Sequence, residues 1–405
     1  MPNDIQIFPL CGQVQHYSWG GCDFIPNLLE MKNRGHRPFA EYWLGAHPQA
    51  PSDVILPDGK RIPLPKLIEN APSFYLGTRT FDRFKQFPYL FKILDVRNML
   101  SIQVHPSKSE AEKGFARENA AGIKLDAPER NYKDANHKPE MMVALGNFWL
   151  LHGFLPKERL IPVLMKIPEF SSFLPVFEKD GYQALYQQVM ELHQNEVDKK
   201  LSSLTNRILP LYQNKTLKKY DPAYWAAKAV LGSNSAHFDR GIFSIFFFNI
   251  VELNPGEAVF QDAGLPHAYL EGQNMEIMAN SDNVLRGGLT PKYMDVPELL
   301  KKIKFEPTVP QIIPGHLTQG GMERIYPCSV PDFRISRIEI SSGKEYASQS
   351  SSPEILMMLQ GTAVLKGRTA EIPIKQGGSA IIFCGEDYQV ITPDHAVLFK
   401  AAVPD

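Results

Sequence analysis

A mainly β chain with an inserted α-helical domain is what this sequence predicts, and three observations carry the prediction. Short apolar runs broken by Pro, Gly and Asp fill roughly the first 110 residues and return after about residue 250, the pattern of β-sandwiches or barrels. Between Pro156 and Leu231 the apolar residues recur instead at helical spacing. The length, 405 residues, exceeds what one ordinary core serves, so two or three domains are expected.

In chain order, Leu90 to Val96, Leu100 to Val104, Met141 to Leu145 and the very apolar Ile242 to Leu253 read as the clearest strands. Tyr182, Leu185, Tyr186, Val189, Met190 and Leu192 form one helical stripe, and Leu201, Leu204, Ile208 and Leu211 a second. Tyr224 to Val230 is a third helix, and Pro156, Pro162, Pro168 and Pro175 cut the front of this segment into short pieces. Strand-like sequence resumes at Arg240, so the helices are an insertion. Towards the end, Ile355 to Leu359 and Ala363 to Lys366 around Gln360-Gly361-Thr362 read as a hairpin, with Ala380 to Phe383 and Val397 to Ala401 as later strands. The expected domains are residues 1–150 with 236–324 (the metal-bearing unit), 151–235 (helical) and 325–405 (a second β domain). That last domain has a single histidine, His395, and no ligand cluster, which points to a structural role.

Composition narrows the function. A formal charge of -1 lacks the basic field a nucleic-acid binder needs, while an anionic small molecule can be served by a few local cations. The start MPNDIQIFPL has no signal-peptide pattern. Gly241 to Leu253 falls short of the roughly 18–20 apolar residues of a membrane span. Cys11, Cys22, Cys328 and Cys384 are widely spread and form no CxxC pair, so they read as reduced thiols of a cytoplasmic protein. A monomer is the default.

Three separate motifs offer compatible metal ligands. In LSIQVHPSK, Gln103 and His105 are two apart on a strand that Pro106 ends, so both emerge side by side at its rim. His137-Lys138-Pro139-Glu140 sets three ionisable groups against the strand-like MMVAL, a costly placement unless they are paired or bind something. Asn254-Pro-Gly-Glu257 is a turn leading to Pro266-His267-Ala-Tyr269, which brings an imidazole to a barrel mouth. Each is weak alone, since a lone His is usually a structural hydrogen-bonding residue. Together Gln103, His105, Glu140 and His267 form a four-ligand set suited to one Zn²⁺, although ligand type also permits Fe²⁺, Mn²⁺ or Co²⁺. Downstream come Glu276, Asp282, Arg286-Gly-Gly and Thr290-Pro-Lys292. Arg and Lys beside an open metal site suit an anionic substrate, and Gly287-Gly288 mark backbone that passes close to a ligand or to another segment.

The strings IQVHPSK, HKPEM, PHAYL and SDNVLRGGLTPK, with VQHYSWGG and AEYWLGAHPQAPS before them, closely resemble the motifs of type I mannose-6-phosphate isomerases in their long form, which carries a helical insert. The likeness runs in order from about residue 14 to 298, and Ala135 departs from it where a proline is common. It implies a cupin-type jelly-roll architecture and one zinc on the same four ligands. It also implies a cavity lined by Trp19, Glu41, Lys92, Ser101, Lys138, Tyr269, Glu276, Asp282, Arg286 and Lys292. The implied reaction interconverts mannose 6-phosphate and fructose 6-phosphate through a cis-enediol. Asp282 is the first choice for proton shuttling, Glu276 its rival, and His137 a partner in ring opening or O1–O2 transfer; Lys138 helps the metal. Arg286 serves the enediolate or the phosphate, and Lys292 with Ser101 the phosphate. The alternatives are an isomerase of another sugar phosphate, a cupin oxygenase using Fe²⁺, and a non-catalytic sugar-binding cupin. No Gly-rich nucleotide signature supports a second, GDP-mannose-forming activity.

Overall fold

The computed structural model describes residues 5–318 and 320–404. Three sheets carry the β part, and their strands pair antiparallel. In the ten-stranded sheet the long strand His267–Ala279 is central. It lies between Tyr89–Val96 and Glu140–Ala144, and its beginning pairs with Gln103–Val104 and Phe148–Phe154.

Alternation along the strands decides what each face does. On one side Phe91, Ile93, Met141, Met275 and Ile277 join Phe8, Leu10, Ile335, Ile355, Met357 and Phe399 of the nine-stranded sheet in one buried core. The opposite side carries Lys92, Glu140 and Glu276, all buried as well. A strand such as Tyr89–Val96, buried along its whole length, is thus apolar towards the second sheet and sets Lys92 among Leu90, Leu94 and Val96 on the other face.

The nine-stranded sheet joins distant parts of the chain. Glu323–Tyr326, Arg334–Ile340, Ala396–Ala402, Glu354–Gln360 and Ser379–Ile382 continue into Ile7–Cys11, Asp53–Ile55 and Arg61–Pro63. The first strand of the chain therefore hydrogen-bonds to Ser379–Ile382, in a sheet built mostly from C-terminal residues. A four-stranded sheet, Glu345–Gln349, Asp387–Ile391, Thr362–Lys366 and Glu371–Lys375, completes the C-terminal sandwich.

The insertion holds helices Lys157–Lys166, Leu174–Glu191, Gln194–Gln213 and Pro222–Gly232, with a 3₁₀ turn at Pro168–Phe173. Their stripes are those the spacing predicts: Leu185, Tyr186, Val189 and Met190, then Leu201, Leu204 and Ile208, are buried, whereas Leu211 is exposed.

Two expectations need correction. Ile242 to Leu253 is not one strand: Gly241–Phe247 is a helix, and only Phe248–Leu253 is a strand. All seven helical residues are buried, with Phe243, Phe246 and Phe247 packed on Phe170. An apolar run buried all round shows no periodicity to separate helix from strand. Nor do Glu354–Gln360 and Thr362–Lys366 form a hairpin. The first pairs with Ser379–Ile382 and Ala396–Ala402, the second with Glu371–Lys375 and Asp387–Ile391. Gly361, at φ +88°, carries the chain from one sheet to the other, and a Cβ there would lie 2.3 Å from the His395 carbonyl oxygen.

Candidate metal centre and substrate cavity

Register alone assembles most of the site. Cross-strand partners share a face, so Arg286, Gln103, His267 and His152 form one row across four strands. A second row runs Gln261, Glu140, Met278, and a third Met142, Glu276, Lys92, Trp43. Along His267–Ala279 the register shifts between Tyr269 and Glu271. That bulge reverses the alternation, so odd-numbered His267 and Tyr269 face the same cavity as even-numbered Glu276. The Tyr269 hydroxyl accordingly donates to Glu276 Oε2 at 2.6 Å.

His105, His267 and Glu140 converge in the interior. Their nearest ligand-type atoms all lie within 4.8 Å of one another, and this is a grouping of metal-binding type among the described residues. Each imidazole is anchored from behind, His105 Nδ1 on the Asn283 carbonyl oxygen at 2.9 Å and His267 Nδ1 on that of Leu265 at 2.9 Å. A carbonyl only accepts, so Nδ1 carries the proton and each Nε2 presents its lone pair inward. Those two Nε2 atoms are buried without a hydrogen-bond partner, each 3.4 Å from a different oxygen of Glu140. Burial, ahead of the nearby charges, lowers the His105 pKa to about 4, which keeps the ring neutral. Burial alone would raise the Glu140 carboxyl. The Lys138 ammonium, 3.1 Å from Oε1, and the two imidazoles instead hold it well below the ordinary range. Two imidazoles anchored through Nδ1 and a carboxylate, with both Nε2 atoms turned towards that carboxylate, are a donor set that fits Zn²⁺. Register sets Gln103 directly opposite His267 on the neighbouring strand.

The loops bearing these groups are sewn together by polar side chains. Asp134 accepts from the Ser281 hydroxyl and the Asp282 amide, while Asn283 Nδ2 donates to the Asp134 and Asn136 carbonyls. Since the Asn283 carbonyl in turn holds His105, the loop around Asp134 and the segment 281–283 set the ligand ring jointly.

Deeper in the cavity Lys92 Nζ lies 3.1 Å from Glu276 and 3.5 Å from Glu41, whose Oε2 accepts from Trp43 Nε1. Burial pushes Glu276 upward although Lys92 opposes it. At the mouth, Asp282 Oδ1 lies 3.4 Å from His47 Nε2, and Oδ2 accepts from Gln49 Nε2 at 2.9 Å. Arg286 and Lys292 have no carboxylate partner among the described residues. Lys292 is depressed by desolvation first, then by Arg286 and Lys133, so three cations gather near this rim. Trp19, partly buried, stacks on Tyr17 at 5.9 Å, and Ser101 is half-buried just before Gln103. Gly288 passes close to another chain segment: a Cβ there would lie 2.4 Å from Gly241 Cα.

The structure does not bring His137 into this group. Its Nε2 bonds Asp332 at 3.0 Å, linking the loop to the C-terminal β region. Conversely, sequence reasoning passed over His47, Gln49, His152 and Gln261. His47 stands two residues beyond the strand Glu41–Gly45 in the quoted string AEYWLGAHPQAPS, which was the available signal.

Comparison with known proteins agrees with this geometry. Residues 7–157 match the family described as phosphomannose isomerase type I, catalytic domain. The mannose-6-phosphate isomerase of Escherichia coli K12 is 38% identical over 381 residues, covering 93% of this chain and 95% of the relative. That of Mus musculus is 33% identical, covering 98% of each. Among solved structures, mannose 6-phosphate isomerase from Salmonella typhimurium bound to substrate and zinc superposes with a TM-score of 0.86. That pair is 34% identical, and the match covers 99% of this chain and 100% of the other.

Proposed function

This chain belongs to the type I phosphomannose isomerases, and from that premise we propose that it interconverts mannose 6-phosphate and fructose 6-phosphate with one zinc ion held by Gln103, His105, Glu140 and His267. The observation that carries the reading is the buried convergence of two unpartnered imidazole nitrogens on the two oxygens of Glu140.

Isomerisation needs the C2 proton of the open-chain aldose to leave and return at C1. The C2–H electron pair becomes the C1–C2 π bond while the carbonyl π pair moves to O1, which takes up a proton; the O2–H proton then leaves, its electron pair forms the C2–O2 carbonyl, and the C1–C2 π pair takes the carried proton at C1, giving the ketose. Zinc, when bound, supplies an electrophile that stabilises the negative charge developing on the enediol oxygens. Asp282 is the carboxylate for the C2/C1 transfer. Its side chain is 29% exposed, whereas that of rival Glu276 is 3% exposed and paired with buried Lys92. Lys138, beside Glu140, adds positive charge where the enediolate forms. Glu41, Lys92, Tyr269 and Glu276 offer a pre-ordered polar wall for the sugar hydroxyls, with Trp19 beside it. Unpaired Arg286 and Lys292, with Ser101, serve the phosphate. His137, engaged by Asp332, has no role in this reading.

A monomeric cytoplasmic enzyme acting on a free small molecule completes the proposal, and four free cysteines support a reducing compartment. An iron oxygenase is disfavoured by the cationic rim.

The test is a coupled assay for fructose 6-phosphate from mannose 6-phosphate, before and after chelation, with zinc restored. Activity that falls with the chelator and returns with zinc is the expected result. No turnover by fully zinc-loaded protein overturns the reading.

A further inference from the structure

His47 is buried, at 3% exposure, and is neither a metal ligand nor one of the cavity-lining residues that the sequence singles out. Its two ring nitrogens have different partners. The backbone N–H of Gln49 donates to Nδ1 at 3.3 Å, so Nδ1 is an acceptor and the neutral ring carries its proton on Nε2. That Nε2–H faces Asp282 Oδ1 at 3.4 Å. The ring also packs on Trp43 in a T-shaped contact at 4.9 Å and 75°. Trp43 is itself fixed by its bond to Glu41 and by Lys92 over its ring at 5.4 Å. Gln49 holds the other oxygen, and the Asp282 backbone is tied to Asp134. One turn after the strand Glu41–Gly45 thus sets a hydrogen bond from Gln49 on one oxygen, and the His47 ring nitrogen 3.4 Å from the other, of a carboxylate 233 residues beyond Gln49.

We propose that His47 is a positioning residue for the proton transfer, its Nε2–H locking the Asp282 carboxylate so that one edge faces C2 and then C1 on the same side of the substrate. This rests on reading Asp282 as the group that carries that proton. An aldose–ketose transfer must deliver the proton to the neighbouring carbon before the carboxyl rotates or exchanges with water. A carboxylate with one oxygen pinned by a buried donor keeps its remaining lone pairs aimed, and near-attack geometry of this kind is worth much of a barrier. The packed imidazole also keeps water from that side of the acid.

The experiment compares His47→Phe, which retains the packing on Trp43 without a donor, with His47→Gln, whose amide restores one, and with Asp282→Asn. For each, kcat, KM for mannose 6-phosphate, bound zinc, and the share of C2 tritium transferred to C1 rather than lost to water are measured. His47→Phe is expected to lower kcat about 100-fold, the cost of a misplaced reacting group, with KM and zinc content unchanged. More of the label should be lost to water, and His47→Gln should recover about tenfold of the rate. Native kcat and native label transfer in His47→Phe overturn the proposal, as does a parallel loss of zinc and thermal stability with no change in label partition. Should phenylalanine prevent folding, His47→Asn, too short to reach Oδ1, gives the same readout. Asp282→Asn separates the two ideas: if it keeps native activity, the premise about Asp282 has failed, whereas an inactive Asp282→Asn beside an unaffected His47→Phe removes only the role of His47.

Discussion

Both β-sandwiches bury a lysine among glutamates and tyrosines, yet only one of them has the makings of an active site. In the ten-stranded sheet Lys92 meets Glu41 and Glu276, and Tyr269 donates to Glu276. In the C-terminal sandwich Lys400 lies 2.9 Å from Glu323 and donates to the Tyr346 hydroxyl at 2.6 Å. Tyr346 and Ser336 donate to Glu323, and Tyr388 donates to Glu354. The C-terminal groups satisfy one another. In the ten-stranded sheet, in contrast, the His105 and His267 Nε2 atoms are buried without a hydrogen-bond partner, each 3.4 Å from an oxygen of Glu140. A buried unsatisfied donor or acceptor costs roughly 1–3 kcal/mol, so two lone pairs converging on one carboxylate mark a candidate metal site. Open valence, more than buried charge, distinguishes the site from the scaffold.

The largest test of that contrast removes Glu140. Glu140→Ala should lose stoichiometric zinc and lower kcat/KM by about 10³-fold or more, since the metal supplies several kcal/mol of charge stabilisation. Zinc by atomic absorption, with circular dichroism as a check on the fold, decides the matter. Retained zinc with retained activity would break the comparison, because the open atoms would then not be the metal site.

How much of this was legible beforehand follows from how local each signal is. His105, Lys138 with Glu140, and Pro266-His267 lie in short motifs at the ends of strands, so the three groups that converge in the structure could be put together as candidate ligands from sequence. The grip of His47 and Gln49 on Asp282 joins residues some 233 apart and depends on two loops meeting, which no local pattern encodes. Likewise His137 looked catalytic from its place next to Lys138, but its partner Asp332 lies 195 residues away. The helical stripes in 182–208 were visible because one face is wet. Gly241–Phe247, buried on every side, carried no period to read. Pairing of Ile7–Cys11 with Ser379–Ile382 was equally invisible, since an apolar strand names no partner.

The next test acts on the closed cluster. Lys400→Met leaves Glu323 without its counter-ion, and breaking a buried pair from one side costs about 3–5 kcal/mol. Urea unfolding should show that loss, while kcat per folded molecule stays native because Lys400 lies outside the catalytic cavity. Adding Glu323→Gln should recover much of the stability, as removing both partners usually costs less than removing one. A fall in kcat without a fall in stability would mean that the second sandwich does more than support the first.

The smallest expected effect is also the most specific, because the two glutamates of that cluster are shifted in opposite senses. Burial alone would raise Glu323, but Lys400 and the hydroxyls of Ser336 and Tyr346 bring it below its ordinary value of 4.5. For a depressed carboxyl the stabilisation is fully present above its unfolded pKa and is lost as the pH falls through the folded one. Glu323→Gln should therefore cost on the order of 1–2 kcal/mol at about pH 6, with the gap to native closing on acidification below about 4.5. Glu354 is raised, chiefly by burial and despite Lys400. Its ionised form is a liability above the folded pKa that acidification relieves, so Glu354→Gln should match or exceed native stability near neutrality and lose that advantage as pH falls. Burial thus outweighs the two cations near Glu354, Lys400 and Arg334, whereas Lys400 and the hydroxyls outweigh burial at Glu323. Urea unfolding of the two variants across the acid limb should show slopes that differ from native in opposite directions. Parallel slopes would mean that the two carboxyls are not shifted in opposite senses.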